Sequence, residues 1–505
     1  MIEYASMNEV IARLMLAMVA VVGHVSLLRG GQVYLSDEKI SINVQLKSTT
    51  RVERVVVSDW QDQKIIDKAY ADDIELMPAE IKGQFGAFRV SLYNGEEKLG
   101  ETWFARLTGK SKPTPWCGTG IHGYGNRAIY EQIARAGIGI VRNDYLWPSS
   151  EKEKGVYREN RAVQKDVAAM RELGIVPHMI LNGTNKIYEN PVDHDAFSSW
   201  IRWALKADLK DVDTFEIWNE SWNNYFGRKF GSYEKKEWIR RFVAFSKAAA
   251  QTLHEVSPNA NVMVCAEDGS KGLQWMMEEG IAGRDDIVSF HPYVHSKDPR
   301  PERRKFFFAD EGESLRAHGK AHGVTRFRAT EMGWTTYSLN ADGSHEHWFV
   351  GDYPSVTYEE QANYLIRAYL ISRSCGLEAM MQYDFRDDGL KRNYTEHNFG
   401  LVFRDLTPKP SFAAVAFMTR LLGEARPLGR IGEHDRKMVR QYAFELSNRR
   451  KAYAMWAVEN PVEVDVPTDV LEGFLFDLMG NRSELGDRKR MTLTESPVYL
   501  VERKK

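Results

Sequence analysis

From Trp116 to Leu422 the chain alternates eight times between a short apolar run and an amphipathic helical segment. No other feature restricts the fold as tightly, because parallel strands joined by helices have few ways to cover both faces of their sheet. The strands read from the sequence are 117–121, 138–143, 175–181, 214–219, 262–266, 287–291, 325–331 and 379–385. Eight units over about 305 residues give about 38 residues per unit, so three units predict about 114 residues between the ends of the fourth and seventh strands. Glu220 and Glu331, which end those two strands, are 111 residues apart. The pattern predicts an α/β chain built on a closed (β/α)8 TIM barrel over 115–422.

The seventh helix is the clearest local signal. Thr357 and Glu360 form a capping box, and Ala362, Leu365, Ile366, Tyr369 and Leu370 form a buried stripe. Gly376 suits the C′ position that ends it.

The barrel is flanked by β-like sequence on both sides. Residues 31–110 hold short alternating runs such as RVERVVVSD and GAFRVSLYN, which predict an N-terminal β-sandwich domain. Lys110 to Pro115 reads as a linker, since two prolines in three residues interrupt a ladder. Residues 425–505 hold RQYAFELSN, KAYAMWAVE and SPVYLVERK, with a turn at Asp477–Asn481, and predict a C-terminal β-sandwich domain. Residues 1–30 contain an apolar run, Leu14–Val22, behind Arg13. That run fits an export signal, which would make the protein secreted or periplasmic, or an ordinary N-terminal helix of a cytoplasmic protein. It is too short to be a stable membrane span.

A net charge of −2 gives no overall attraction to nucleic acid. Three scattered cysteines make no disulfide framework. Ten of the thirteen tryptophans lie between Trp116 and Trp348, within the barrel.

Two segments carry the chemistry. Phe215 to Ser221, FEIWNES, runs from strand character into Trp218, Asn219 and Glu220. Thr325 to Thr330 runs into Glu331, followed by Met332, Gly333 and Trp334. Two carboxylates presented at two strand ends of one barrel face are what cleavage of a glycosidic bond requires.

Trp218-Asn219-Glu220 and Thr330-Glu331-Met332-Gly333-Trp334 resemble the acid/base and nucleophile motifs of glycoside hydrolase clan A, the retaining (β/α)8-barrel glycosidases. Within the clan the chain is most similar to family 39 and its relatives, over roughly residues 115–422. The resemblance implies a retaining β-glycosidase with Glu220 as acid/base, Glu331 as nucleophile and a carbohydrate substrate. It implies no cofactor and no metal, because both the proton and the nucleophile come from carboxyl groups. Asn219 is then expected at the sugar 2-hydroxyl, and Arg142 at the nucleophile or, alternatively, paired with Asp144. His291 and Tyr293 end the sixth strand, where Tyr293 can donate to Glu331. His122 faces the site from the first strand's loop, and Asp384 belongs to the closing segment Tyr383–Asp388. Trp147, Trp222 and Trp334 follow strand ends and are candidate sugar platforms or core residues. The clan's usual tryptophan on the last strand is missing, with Met381-Gln382-Tyr383 in its place.

Three further features are weighed against this reading. Gly118-Thr-Gly120-Ile-His-Gly123 matches a dinucleotide fingerprint, but Lys112–Cys117 before it is not the apolar strand that such a site needs. Arg300, Arg303, Arg304 and Lys305 follow the sixth strand and leave an acidic or sulfated glycan open as substrate. His345-Glu-His347 reads as a solvated loop. A non-catalytic glycan-binding protein on the same scaffold is the main alternative from another functional class.

Overall fold

The computed structural model describes residues 32–42, 51–70, 74–76, 79–230, 236–267, 269–283, 285–340, 354–486 and 488–503. The expectations for residues 1–30 and for His345–His347 lie outside these. Among the described residues, no helix is long and apolar enough to cross a membrane.

The eight strands form a closed parallel barrel. They are Thr114–Gly120, Ile138–Leu146, Val176–Asn182, Thr214–Ile217, Asn261–Glu267, Ile287–Phe290, Phe327–Met332 and Ala379–Gln382. The ring closes where the eighth strand pairs the first, Met380 opposite Cys117 and Gln382 opposite Thr119. All eight predicted strands exist. The first begins three residues early, so the predicted linker overlaps it. Pro115 is tolerated because pairing to the second strand slips between Thr114 and Gly118, which leaves its missing N–H outside the ladder.

Helices cover the barrel, and their starts follow from side-chain caps. Asn126, Asn160 and Asp193 each accept hydrogen bonds from backbone N–H groups of the first turn. The capping box of Thr357 and Glu360 is formed, and Gly376 takes φ +82° just past Ser374. The predicted stripe on this helix, Tyr358–Ser374, is buried, but so is nearly all of the remaining surface. The reason is that the last helix, Pro410–Leu422, and the C-terminal domain together cover the face that would otherwise meet water.

Each flanking domain is a larger antiparallel-based sheet faced by a two-stranded one. In the N-terminal domain, Val55, Val57, Phe88, Val90 and Phe104 pack against Ile40, Ile42 and Leu76. The opposite face, with Trp60, Trp103 and Ala105, joins the barrel core beside the last helix, Pro410–Leu422. The C-terminal domain likewise sends Tyr442, Trp456 and Tyr499 into that core. The two outer domains also touch, since the Asn481 side chain donates to the Phe85 carbonyl and accepts from its N–H at 3.0 and 2.7 Å. The barrel is therefore held from both sides, with its strands' C-terminal ends left open.

Candidate active site

The site is built on charged residues that the barrel strands cannot leave alone. Arg142 on the second strand and Glu216 on the fourth are both buried, and they pair at 2.5 Å through Nε and Oε2. Thr330 on the seventh strand donates to the other oxygen of Glu216 at 2.7 Å, and His178 Nε2 lies 3.5 Å from Oε2. Pinned this way, the guanidinium points its remaining nitrogens upward. Nη1 donates to Glu331 Oε1 at 2.5 Å and Nη2 to Asn219 Oδ1 at 2.7 Å. Arg142 thus supports the nucleophile candidate, and Asp144 acts on it only at longer range, with no ion pair between them.

Glu331 is 9 % exposed, and burial alone would raise its pKa. His291 and Arg142 outweigh burial and hold it below the ordinary carboxylate value. Tyr293 Oη donates to its second oxygen at 3.2 Å. His291 is fully buried, with Nδ1 at 3.0 Å from Glu220 Oε1 and 3.5 Å from Glu331 Oε2. The imidazole therefore bridges the two carboxyl groups. One oxygen of each lies within 4.8 Å of the other.

The turn after the fourth strand is strained where the site needs it. Trp218 has φ +68° and Glu220 φ +45°, values that side chains rarely adopt. The two bends send Glu220 into the cavity and the Trp218 indole into the core. There the indole meets Phe226 and Phe245 edge to face, so it offers no stacking face to a ligand. Asn223 Nδ2 donates to Glu220 Oε2 at 3.0 Å.

The cavity over these residues has a volume of about 630 Å³. Arg142, Asn219, Glu220, Glu331, Tyr293, His122 and Trp222 line it, as the sequence suggested. His291 sits directly behind the two glutamates, and Asp384 stands behind His122, whose Nδ1 is 3.5 Å away. Two tryptophan expectations need correction. Trp147 is wholly buried, donating to Glu151 at 2.5 Å and stacking on Tyr188. Trp334 is also buried and donates to the Pro299 carbonyl at 2.7 Å. In both cases an indole N–H found a partner in the scaffold, which fixes the ring away from the cavity.

Several lining residues carried no expectation. Tyr383 and Phe399 supply the aromatic wall where the last-strand tryptophan is missing, with ring centroids 5.3 Å apart. Glu396, on the short helical turn Thr395–Asn398, lines the cavity and accepts a hydrogen bond from Tyr383 Oη at 3.2 Å. Burial raises its carboxyl to about 7, the Tyr383 bond opposes this, and Glu331, Asp388 and Glu220 add to the rise. Asp384 is pushed to about 8 by burial, opposed by His122. His122 is at the rim, with Nδ1 2.8 Å from Asp388 Oδ2. Burial lowers its pKa, but Asp388 and Asp384 overcome that and lift it to about 10.

Among the described residues, two sets of side chains have potential ligand atoms close together: His122, Asp384 and Asp388, and Glu220, His291 and Glu331. In each the imidazole nitrogen already lies at hydrogen-bond distance from a carboxylate. The glycine pattern is not a phosphate cradle. Gly118 and Gly120 lie in the first barrel strand, and a Cβ on Gly118 would come within 2.7 Å of Met381 Cγ. Arg300 and Arg303 do not line the cavity. They pair with Asp298 and with Glu459 of the C-terminal domain, so their charge holds domains together.

The sequence matches no family model and no curated protein. Solved structures do match. A family 39 glycoside hydrolase from the gut symbiont Bacteroides cellulosilyticus WH2 aligns with a TM-score of 0.70 at 20 % identity, over 95 % of this chain and 100 % of that one. A glucosidase from Croceicoccus marinus aligns with a TM-score of 0.50 at 11 % identity, over 78 % of this chain and 97 % of that one. The chain therefore has the fold of the clan A glycoside hydrolases and resembles the family 39 type along almost its whole length.

Proposed function

We propose that the protein is a retaining β-glycosidase acting on an oligo- or polysaccharide. The observation that carries this is the pairing of Glu220 and Glu331 across His291, with carboxyl oxygens within 4.8 Å. Retaining enzymes hold their two carboxyl groups about 5–5.5 Å apart, whereas inverting enzymes leave about 6.5–9.5 Å for a water.

The roles follow from the environments. Arg142, His291 and Tyr293 stabilise Glu331 as an anion, and an anion is what attacks the anomeric carbon. Glu220 has Asn223 and His291 as partners and no Lys or Arg within ion-pair reach among the described residues. It donates the proton to the leaving oxygen, and then takes one from water as the glycosyl-enzyme ester is hydrolysed. Asn219 is oriented by Arg142, with its amide nitrogen available to a sugar hydroxyl. Trp222, half-buried beside Glu220, is the one predicted platform that remains at the cavity wall.

A panel of aryl β-glycosides identifies a turned-over substrate, and proton NMR of its first-formed product tests the mechanism. The β-anomer is expected first. The α-anomer first, or no turnover across the panel by folded protein, contradicts the proposal.

A further inference from the structure

We infer that this cavity takes an uncharged glycone and that Glu396 is the residue that turns away an anionic one. The inference rests on reading the cavity as a sugar site, and it narrows the substrate class within that reading.

Arg142 sits at the base of the cavity and His122 at its rim, and each already has two carboxylate neighbours. Arg142 lies between Glu216 and Glu331, at 2.5 Å from each. His122 lies between Asp388 and Asp384, at 2.8 and 3.5 Å. Neither has charge left for a carboxylate or sulfate on the substrate. Glu396 is different. It lines the same cavity, its hydrogen bond from Tyr383 uses Oε2, and no Lys, Arg or His lies within ion-pair reach of it among the described residues. Its surroundings are instead the carboxyls of Glu331, Asp388 and Glu220, which push its pKa up together with burial. A uronic acid carboxylate entering here adds another anion to a group of anions, in a partly desolvated space where like charges repel most. A sugar hydroxyl, by contrast, donates to the free oxygen of Glu396 in a charge-assisted hydrogen bond.

Arg228 also lines the cavity, on the turn Phe226–Phe230. That turn follows the strand of Glu220, the proton donor, so its charge belongs with the leaving group. Of the four cations after the sixth strand that suggested an acidic glycan from sequence, Arg300 and Arg303 are committed to Asp298 and Glu459, and Arg304 and Lys305 do not line the cavity.

The test uses pairs of iminosugars, in gluco, galacto and manno configurations, each pair differing only in a hydroxymethyl group versus a carboxylate. Binding to wild-type protein and to Glu396→Gln is measured by calorimetry at pH 8, where Glu396 is ionised. These probes need the site but not turnover. For wild type, the hydroxymethyl member of the best-bound pair is expected to bind at least tenfold tighter than its carboxylate partner. In Glu396→Gln that ratio is expected to fall toward one. Tighter binding of the carboxylate member by wild type overturns the inference without any variant. An unchanged ratio in a folded Glu396→Gln protein also overturns it. If the expected ratios appear but no aryl glycoside is turned over, the glycosidase reading fails and the charge inference stands. If no member of any pair binds, both fail.

Discussion

Arg142 and Arg367 are both fully sequestered arginines paired to a buried glutamate, yet only one pair belongs to a site. Arg367, on the helix Tyr358–Ser374, binds Glu302 through Nε and Nη2 at 2.9 and 2.6 Å, and Trp456 of the C-terminal domain donates to the same carboxylate at 2.7 Å. Glu302 is 6 % exposed and Glu331 9 %, and both are held below the ordinary carboxylate pKa by cations that outweigh burial. Burial and a shifted pKa therefore do not separate them. Satisfaction does. Glu302 has both oxygens in short bonds to Arg367 and Trp456 and does not line the cavity. Glu331 has one oxygen held by Arg142, while the other has a 3.2 Å hydrogen bond from Tyr293 and His291 Nδ1 at 3.5 Å and still faces an open space. A structural ion pair closes on itself, and a functional one keeps an oxygen for a ligand.

Substitutions can break this comparison, and turnover is the readout that ranks them. Glu331→Ala is expected to lose at least about 10⁴-fold in kcat while the thermal transition is retained, because attack on the anomeric carbon has no substitute. Glu220→Ala is expected to lose about 10²–10⁴-fold on a substrate with a poor leaving group, and much less in glycosylation with a dinitrophenyl glycoside. Azide should rescue it and give the β-glycosyl azide, whereas rescued Glu331→Ala should give the α-azide. The opposite pattern of anomers would exchange the two roles.

Arg142→Met is expected to cost about 10²-fold through misplacement of Glu331 and Asn219. It should also move the acid limb of kcat/KM. The cation favours the ionised carboxylate, so its removal raises the Glu331 pKa, and the limb shifts to higher pH. Glu216→Gln sharpens the contrast. It leaves the charge of Arg142 in place but loosens its seat, so about a tenfold fall in kcat is expected without an upward shift of the acid limb. A downward shift would mean that Glu216 acts through charge and not position, because losing a nearby anion favours the ionised form of Glu331. The smallest effect on turnover belongs to Arg367→Met. Removing one partner of a buried pair costs about 3–5 kcal/mol of stability. Urea unfolding should show that loss, with kcat per folded molecule unchanged.

The parts legible in the sequence were those with a period or a covalent identity. Strand–helix alternation gave all eight barrel strands, and Thr357, Glu360 and Gly376 gave both ends of one helix. Glu220 and Glu331 were legible because they sit at the open-face ends of the fourth and seventh strands, and Arg142 because it is a charged residue on the apolar second strand, Ile138–Leu146. Glu216 left a signal that went unused: a charged residue inside an apolar barrel strand must find a partner. Glu396 left none, since its place depends on how residues 384–400 fold back over the eighth strand. The tryptophans misled for a related reason. Trp147 and Trp334 both follow strand ends, but ring direction is set by N–H partners that strand pattern does not show, the Glu151 carboxylate for Trp147 and the Pro299 carbonyl for Trp334. Arg300 and Arg303 misled because their partner, Glu459, belongs to another domain.

The most direct test of Glu331 as nucleophile is covalent trapping. Protein incubated with dinitrophenyl 2-deoxy-2-fluoro-β-glycosides of gluco, galacto and xylo configuration is digested and mapped by mass spectrometry. The account predicts one fluoroglycosyl adduct per chain, on Glu331, absent from Glu331→Gln. An adduct on Glu220 or Glu396, or turnover of the parent glycoside with no adduct from its fluorinated counterpart, would contradict it.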